Sequence, residues 1–416
     1  MKPTPHAVQV VLDAPNLGPP QIVGALALSG TRPDSAVSFE YGSAWLAKPQ
    51  AFELDPALPL VGGRLYRETS KGLFGVLQDG SPDRWGRLLM DRNEDLAANR
   101  EGRAVRKLFG FDYLLAVNDY TRQGALRFAD EAGVFASTAD FAPPPIASLA
   151  ELAEVSLAVE QQGAQDLPDY ERWLATIFDA GSSQGGARPK SAFVGADGSL
   201  WMAKFPARDD SYDLGAWEYL THQLAKHAGL DVPEARLETF DRPQNRTFCV
   251  KRFDRFARER RLYVSAMTRL GLEDHDASAS YVDLADLVAT GGVDGTVGAD
   301  LRELFGRAAF NVLVGNRDDH LRNHGFLREP TGWRLAPAFD VNPNPQKQLH
   351  ALKVDLESRQ GSLERLLATH EWYRLSEASA RQVVERIRAS VSEWEFQAKN
   401  LGLARAEINL MKSVLP

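Results

Sequence analysis

The chain has 416 residues, of which 25% are charged and 44% hydrophobic, and its formal net charge is -8. This is an ordinary globular balance over a length that suits two or three domains, so a disordered polyelectrolyte and a chain that binds nucleic acid over its whole surface are both excluded. There is no apolar run of about 18 residues to span a membrane, and the single cysteine, Cys249, excludes an internal disulfide and a cysteine-based metal cluster.

Taken in order, Met1 to His6 lack the apolar core of a signal peptide, and a cytoplasmic location is expected. Val8 to Leu12 and Ile22 to Leu26 read as short strands, and Pro82 to about Leu96 as a helix. Pro143, Pro144 and Pro145 stiffen the chain and mark a domain boundary. Leu149 to Gln161 then reads as a helix. Next comes a glycine-rich stretch, Gly181 to Lys190, whose glycines, Gly185 and Gly186 before Ala187 among them, leave backbone N–H groups unshielded while Arg188 and Lys190 add positive charge. Such a loop suits the close approach of a polyphosphate, although its spacing fits neither the Walker nor the dinucleotide pattern.

Ser191 to Val194 and Leu200 to Phe205 flank the turn Ala196-Asp197-Gly198 and predict a β-hairpin, with Lys204 near the end of its second strand. A strand lysine after a glycine-rich loop is placed to meet α- and β-phosphates. Leu214 to Gly229 carries apolar residues at helical spacing (Trp217, Leu220, Leu224, Ala228), with Gly229 as its stop and Glu218 as a partner for Lys204. Strands dominate from about 190 to 265. Arg252, Arg255, Arg258, Arg260 and Arg261 crowd one segment there, interspersed with Asp254 and Glu259, and read as a solvated loop or docking surface. Helices dominate from about 280 onward, with Leu363 to Thr369, Ala378 to Glu393 and Leu403 to Val414 as the clearest.

The densest chemical signal lies inside that helical region. The apolar run Ala308 to Val314 ends at Gly315, and the next residues are Asn316-Arg317-Asp318-Asp319-His320-Leu321-Arg322-Asn323. Gly325 to Leu327 and Trp333 to Leu335 form a hairpin around Glu329 to Gly332, which returns the chain to Ala338-Phe339-Asp340 beside Asn323. An Asp, four residues, an Asn, and then an Asp beside an aromatic ring is the order in which protein kinases set their base and metal ligands. Asp318 would orient and deprotonate a hydroxyl. Asn323 and Asp340 would hold Mg²⁺, a cation that takes few protein ligands. Asp319 reads either as a residue supporting that site or as an exposed turn residue. A lone Asp-x4-Asn is an ordinary polar turn, but its combination with the glycine-rich loop, Lys204 and Asp340 points to phosphoryl transfer.

These residues resemble the HipA family of bacterial serine/threonine kinase toxins. The resemblance rests most specifically on Gly185 to Lys190, Met202 to Pro206, Lys251 to Arg255, the Asp318 to Asn323 run and Phe339-Asp340, and more loosely on Val37 to Ala47, Gly80 to Gly86 and Phe111 to Leu115. It implies an α+β fold: a bilobal protein-kinase-like body with an added N-terminal α/β subdomain and a helical C-terminal lobe. The expected divisions are 1–140 (N-terminal subdomain), 141–258 (small lobe with the glycine-rich loop) and 259–416 (helical catalytic lobe). The resemblance further implies that Asp318 is the catalytic Asp, that Lys204 contacts nucleotide phosphates, that Lys251 to Phe253 form the hinge that meets adenine, and that His320 is the loop histidine. Ser183 matches a serine that family members can autophosphorylate, with Ser182 as its neighbour.

The chain departs from the family's best-known form at Asp319, where that form has Gly, at Arg322, where it has Lys, and at Lys251, often Glu. By resemblance the partners are ATP, Mg²⁺, a protein substrate in translation such as an aminoacyl-tRNA synthetase, and a small DNA-binding, HipB-like antitoxin of a type II system that makes most of any DNA contact. Two alternatives are a small-molecule kinase on the same site and a non-catalytic ATP-binding interaction protein.

Overall fold

A computed structural model describes residues 6–30, 35–67, 72–136, 148–161, 164, 167, 169–179, 188–240, 246–256, 259–273 and 278–416. Ser182, Ser183, Gly185, Gly186, Ala187, Arg258 and the triple proline lie outside these residues. The chain divides into two compact units, one formed by Met1–Asp209 with Asp254–Val264 and the other by Asp210–Phe253 with Ser265–Pro416.

The first unit is built on an antiparallel sheet of β1 (Ala7–Leu12), β2 (Gln21–Leu28), β3 (Val37–Tyr41), β4 (Arg64–Tyr66) and β5 (Leu126–Ala129), in the order β4-β3-β2-β1-β5. Val10 lies opposite Gly24 on one side and Phe128 on the other, and all its apolar surface is buried. Short helices α1 (Ser43–Leu46) and α2 (Gly75–Asp79) precede the long α3 (Arg84–Glu101), which starts close to its predicted position, and α4 (Gly110–Ala116). After α5 (Leu149–Val159) and α6 (Tyr170–Asp179) comes the predicted hairpin, β6 (Lys190–Val194) with β7 (Leu200–Lys204), in the register Lys190 opposite Lys204. The indole N–H of Trp85 on α3 donates to the Lys190 carbonyl (3.2 Å), tying the strand start to the N-terminal helix.

In the second unit α7 (Leu214–His227) is capped by Asp213, whose side chain accepts from Ala216 N. It ends in a Schellman motif, with Leu230 N bonded to Ala225 O and Gly229 N to Lys226 O, both 3.0 Å. Strands β8 (Ala235–Glu238) and β9 (Thr247–Lys251) pair antiparallel and place Lys251 at the end of a buried strand, two residues before Phe253. Next in the chain come the short β10 (Arg255–Phe256) and β11 (Glu259–Arg260), which belong to the first unit, as do Tyr263 and Val264 of β12 (Tyr263–Ser265). They are followed by α8 (Ala266–Arg269), α9 (Tyr281–Gly291) and α10 (Val297–Leu313). The predicted β13 (Gly325–Glu329) and β14 (Gly332–Leu335) pair as a hairpin. The helical end is α11 (Leu363–Ala368), α12 (Glu377–Val391), α13 (Trp394–Asn400) and α14 (Arg405–Met411), with α10 packed against α9 and α12. No helix among the described residues is long and apolar enough to cross a membrane.

The arginine-rich segment is not a solvated loop. Arg252 and Arg260 are buried, and the Arg255 side chain is almost fully covered. Asp119 explains the burial of Arg260: its carboxylate accepts from Arg127 (2.6 Å) and from Arg260 (3.3 Å). Arg255 donates to Asp254 (2.7 Å) and to the Arg122 carbonyl (2.5 Å), and Asp254 in turn accepts from Gly124 N (2.8 Å). The charges of Arg255 and Arg260 are consumed by buried carboxylates and carbonyls inside the first unit.

Candidate functional site

The loop that carries Asp318 is launched by a helix stop. At the end of α10 Asn316 N bonds to Asn311 O (2.9 Å) and Gly315 N to Val312 O (3.4 Å), the two bonds of a Schellman motif with Gly315 at φ 64°. A side chain there would meet Val414 Cβ at 2.9 Å and its carbonyl at 3.1 Å, so the turn needs glycine for space as well as for conformation.

Beyond the turn, two adjacent aspartates diverge. Asp319 is 3% exposed, and its Oδ2 accepts from Asn311 Nδ2 (2.8 Å), His324 Nε2 (2.8 Å) and the Tyr281 hydroxyl. Asn316 Nδ2 extends the network to Asn311 Oδ1 (3.0 Å), and the Tyr281 ring packs edge-on to His324 at 5.8 Å. Tyr281 is aimed by sequence-local chemistry: it begins α9, where Ser280 and Asp283 form a reciprocal capping box. Burial pushes the Asp319 carboxyl up, but the His324 ring and the hydrogen bonds outweigh it and hold the carboxyl below its usual range. Burial and the neighbouring Asp319 raise the Tyr281 phenol well above its ordinary value, which keeps it a donor. Asp319 is thus an internal anchor, and the exposed-turn alternative is excluded.

With Asp319 anchored inward, Asp318 turns outward, its side chain 54% exposed. His320 is exposed as well, and its carbonyl accepts from Asn323 N (2.8 Å) across a 3-10 turn, Leu321–Asn323. Asn323 is nearly buried and its Nδ2 donates to the Asp318 carbonyl (3.4 Å), which assigns its amide oxygen to outside acceptance or ligation.

The returning hairpin delivers Asp340. Ala336 N bonds to Gly325 O (2.8 Å), Arg307 of α10 donates to Ala336 O (2.7 Å) and Ala338 N to Asp231 O (2.8 Å), so the chain is fixed at three successive points. Phe339 then packs on Phe253 with ring centroids 5.4 Å apart, and Asp340 has φ 58°, a left-handed conformation that costs a non-glycine residue free energy. Among the described non-glycine residues only Arg374 shares this left-handed backbone. Lys251 N bonds to Glu234 O (2.8 Å) and its ammonium lies 3.4 Å from Glu234, so this lysine faces an exposed carboxylate.

In the first unit Lys204 closes β7 opposite the buried Lys190, and Arg188 donates to Phe205 O (3.3 Å). Glu218 is buried on α7 in the second unit. Sequence reasoning missed Tyr281, Asn311, His324 and Lys347, which ion-pairs with Asp318. One signal was available: Asn311 interrupts an otherwise apolar helix end, and a buried amide there demands polar partners.

No three His, Cys, Asp or Glu side chains among the described residues converge as a metal cage. Asn323 carries an amide oxygen and Asp340 a carboxylate, donor types that Mg²⁺ accepts.

A family model described as the HipA-like C-terminal domain matches residues 182–394. The chain is 29% identical over 242 residues to Y4dM of Sinorhizobium fredii (strain NBRC 101917 / NGR234), named as a kinase, with 50% of this chain and 54% of that protein covered. It is 24% identical over 351 residues to the serine/threonine-protein kinase toxin HipA of Shewanella oneidensis, with 77% and 72% covered. The chain therefore spans about half the length of Y4dM, and more of the Shewanella protein. Among solved structures, a chain of the Shewanella oneidensis MR-1 complex of HipA, HipB and operator DNA superposes with a TM-score of 0.63 at 19% identity, over 97% of this chain and 94% of that one. That likeness gives the fold.

Proposed function

The chain belongs to the HipA-like C-terminal domain family, and from that premise we propose that it is an ATP- and Mg²⁺-dependent serine/threonine protein kinase, the toxin of a toxin–antitoxin pair. The observation that carries the reading is the divergence of Asp318 and Asp319: one carboxylate is anchored by three buried donors, and its neighbour is thereby presented to solvent at the head of a loop that also carries Asn323.

Phosphoryl transfer asks little covalent chemistry of the protein and much positioning. Asp318 would accept the hydrogen bond of the acceptor hydroxyl and take its proton. Asn323 and Asp340 would offer neutral and anionic oxygens to Mg²⁺, which when bound neutralises charge on the phosphates. Lys204, Arg188 and the backbone of Gly185 to Ala187 would hold phosphates, and the Lys251 to Phe253 strand end would meet adenine through backbone groups. Ser183 is the candidate autophosphorylation site. A HipB-like DNA-binding protein as partner is suggested by the complex in which the solved relative occurs. A protein of translation as substrate, and a cytoplasmic location, rest on the family resemblance.

The test is incubation of the purified chain with labelled ATP and Mg²⁺ beside Asp318→Asn, with mass mapping of any phosphopeptide. Loss of a positioned base should cost about 10²- to 10⁴-fold in rate. Label on Ser183 or on an added protein acceptor that disappears in the variant supports the reading, whereas full activity of Asp318→Asn overturns it. Consumption of ATP with a metabolite acceptor and no labelled protein would move the assignment to a small-molecule kinase.

A further inference from the structure

The side-chain partner of Asp318 comes from outside its own loop. Lys347, seven residues after Asp340, ion-pairs through its ammonium with Asp318 Oδ1. Both side chains are about half exposed, and an exposed pair between two freely rotating side chains is ordinarily worth little.

This pair is not built that way, because the backbone of Lys347 is fixed to the Asp318 loop. Asn344 N donates to Gly315 O (2.9 Å), and the Asn344 side chain accepts from Gln346 N (3.0 Å) and Lys347 N (3.1 Å). Arg317, adjacent to Asp318, donates to Lys347 O (2.5 Å) and to Asn344 O (3.5 Å). Pro343 and Pro345 flank Asn344 and narrow the conformations open to this turn. The turn therefore docks on the loop at Gly315 and Arg317, and its lysine reaches the carboxylate between them and Asp319.

We propose that Lys347 is a positioning residue for Asp318, a cation supplied by the segment after Asp340 that takes Oδ1, keeps the carboxylate from rotating, and leaves Oδ2 for the acceptor hydroxyl. The inference rests on the kinase reading, in which Asp318 is the base. The Asp318 loop does not hold this carboxylate by itself: Asp319 uses the buried donors, Asn323 meets the Asp318 carbonyl, and the guanidinium of Arg317 is spent on the docked turn. Lys347 also links two parts of the site, since the turn that carries it starts directly beyond Asp340.

The test compares the full chain with Lys347→Met, Lys347→Arg, Asp318→Asn and the double variant Asp318→Asn/Lys347→Met, following label transfer from ATP with Mg²⁺. The expected result is a fall in kcat of roughly 10- to 100-fold for Lys347→Met, the scale of a misplaced catalytic group, with KM for ATP unchanged. Lys347→Arg should recover most of the rate, and Lys347→Met should cost nothing further on top of Asp318→Asn. Lys347→Met at the parental rate or faster, with Asp318→Asn inactive, overturns the positioning role and leaves the kinase reading standing. An active Asp318→Asn overturns both. Lys347 is half exposed, so the variants should melt with the parent.

Discussion

Asp119 in the first unit and Asp319 in the second are both buried carboxylates, 4% and 3% exposed, and they are satisfied in opposite ways. Asp119 sits among Arg127 and Arg260, close to the fully buried Arg122, whose guanidinium caps the carbonyls of Leu114 (2.6 Å) and Val117 (2.8 Å). Asp319 is met by a phenol, an amide and an imidazole. The first arrangement joins segments far apart in sequence by charge, and burial in it depresses the Arg122 and Arg260 guanidinium pKa values to about 10. The second orders a loop by hydrogen bonds from a phenol, an amide and an imidazole, with no arginine among the donors to its buried carboxylate. A buried centre that fastens can be ionic. One that orders a solvent-facing loop can be made of dipoles.

The comparison can be broken by substitution. The largest stability effect should come from Asp319→Ala, which strands three buried donors and should cost about 3–5 kcal/mol in urea unfolding of the second unit, with transfer activity falling as the loop slackens. Asp119→Ala should cost about 3 kcal/mol, toward the low end, because Arg127 keeps a 3.0 Å bond to Asp13. The asparagine variants separate charge from hydrogen bonding. Asp319→Asn keeps an acceptor and should recover about half of the alanine loss, whereas Asp119→Asn should be nearly as damaging as Asp119→Ala. Equal recovery at both positions would erase the distinction.

Acidity separates the same centres from a buried histidine. His222 is depressed to about 4 by burial, its ring bonded to Pro233 O (2.7 Å) and packed near Phe248. The unfolded chain binds a proton on this ring near pH 6.5 while the folded one does not, so its stability contribution is complete above 6.5 and declines as pH falls toward 4. The decline should be on the order of 2–3 kcal/mol, and His222→Gln should flatten it in unfolding measured across that window. The Asp319 and Asp119 carboxyls, both held below their usual range, contribute stability above about pH 4 that is lost only as pH falls through their folded values. Acid unfolding of the parent should therefore begin above the carboxylate range and steepen within it. At the small end, Glu377→Ala removes an exposed pair with Arg381 and should leave the melting temperature unchanged.

Much of the local structure was legible because its causes are local. The β6–β7 hairpin follows from alternating apolar residues around Asp197-Gly198, α7 from its apolar spacing and Gly229, and the β13–β14 hairpin from Pro330 to Gly332. The order Asp318, Asn323, Asp340 is likewise written in the sequence, and the hairpin between them closes with the Ala336 N to Gly325 O bond. The arginines at 255 and 260 are buried where the sequence suggests a solvated face, because a charge run looks the same whether solvent or a buried carboxylate answers it.

The sequence by itself determined the elements, the helix stops, and the residue types and spacing that point to phosphoryl transfer, since propensity, capping and turn chemistry act over a few residues. Only the tertiary structure decided which aspartate is anchored and which is presented, and what meets each. Tyr281 reaches Asp319 across 38 positions, Lys347 reaches Asp318 across 29, and Arg260 reaches Asp119 across 141. Contacts at such separations depend on how whole helices and hairpins pack, and no short-range rule encodes that packing.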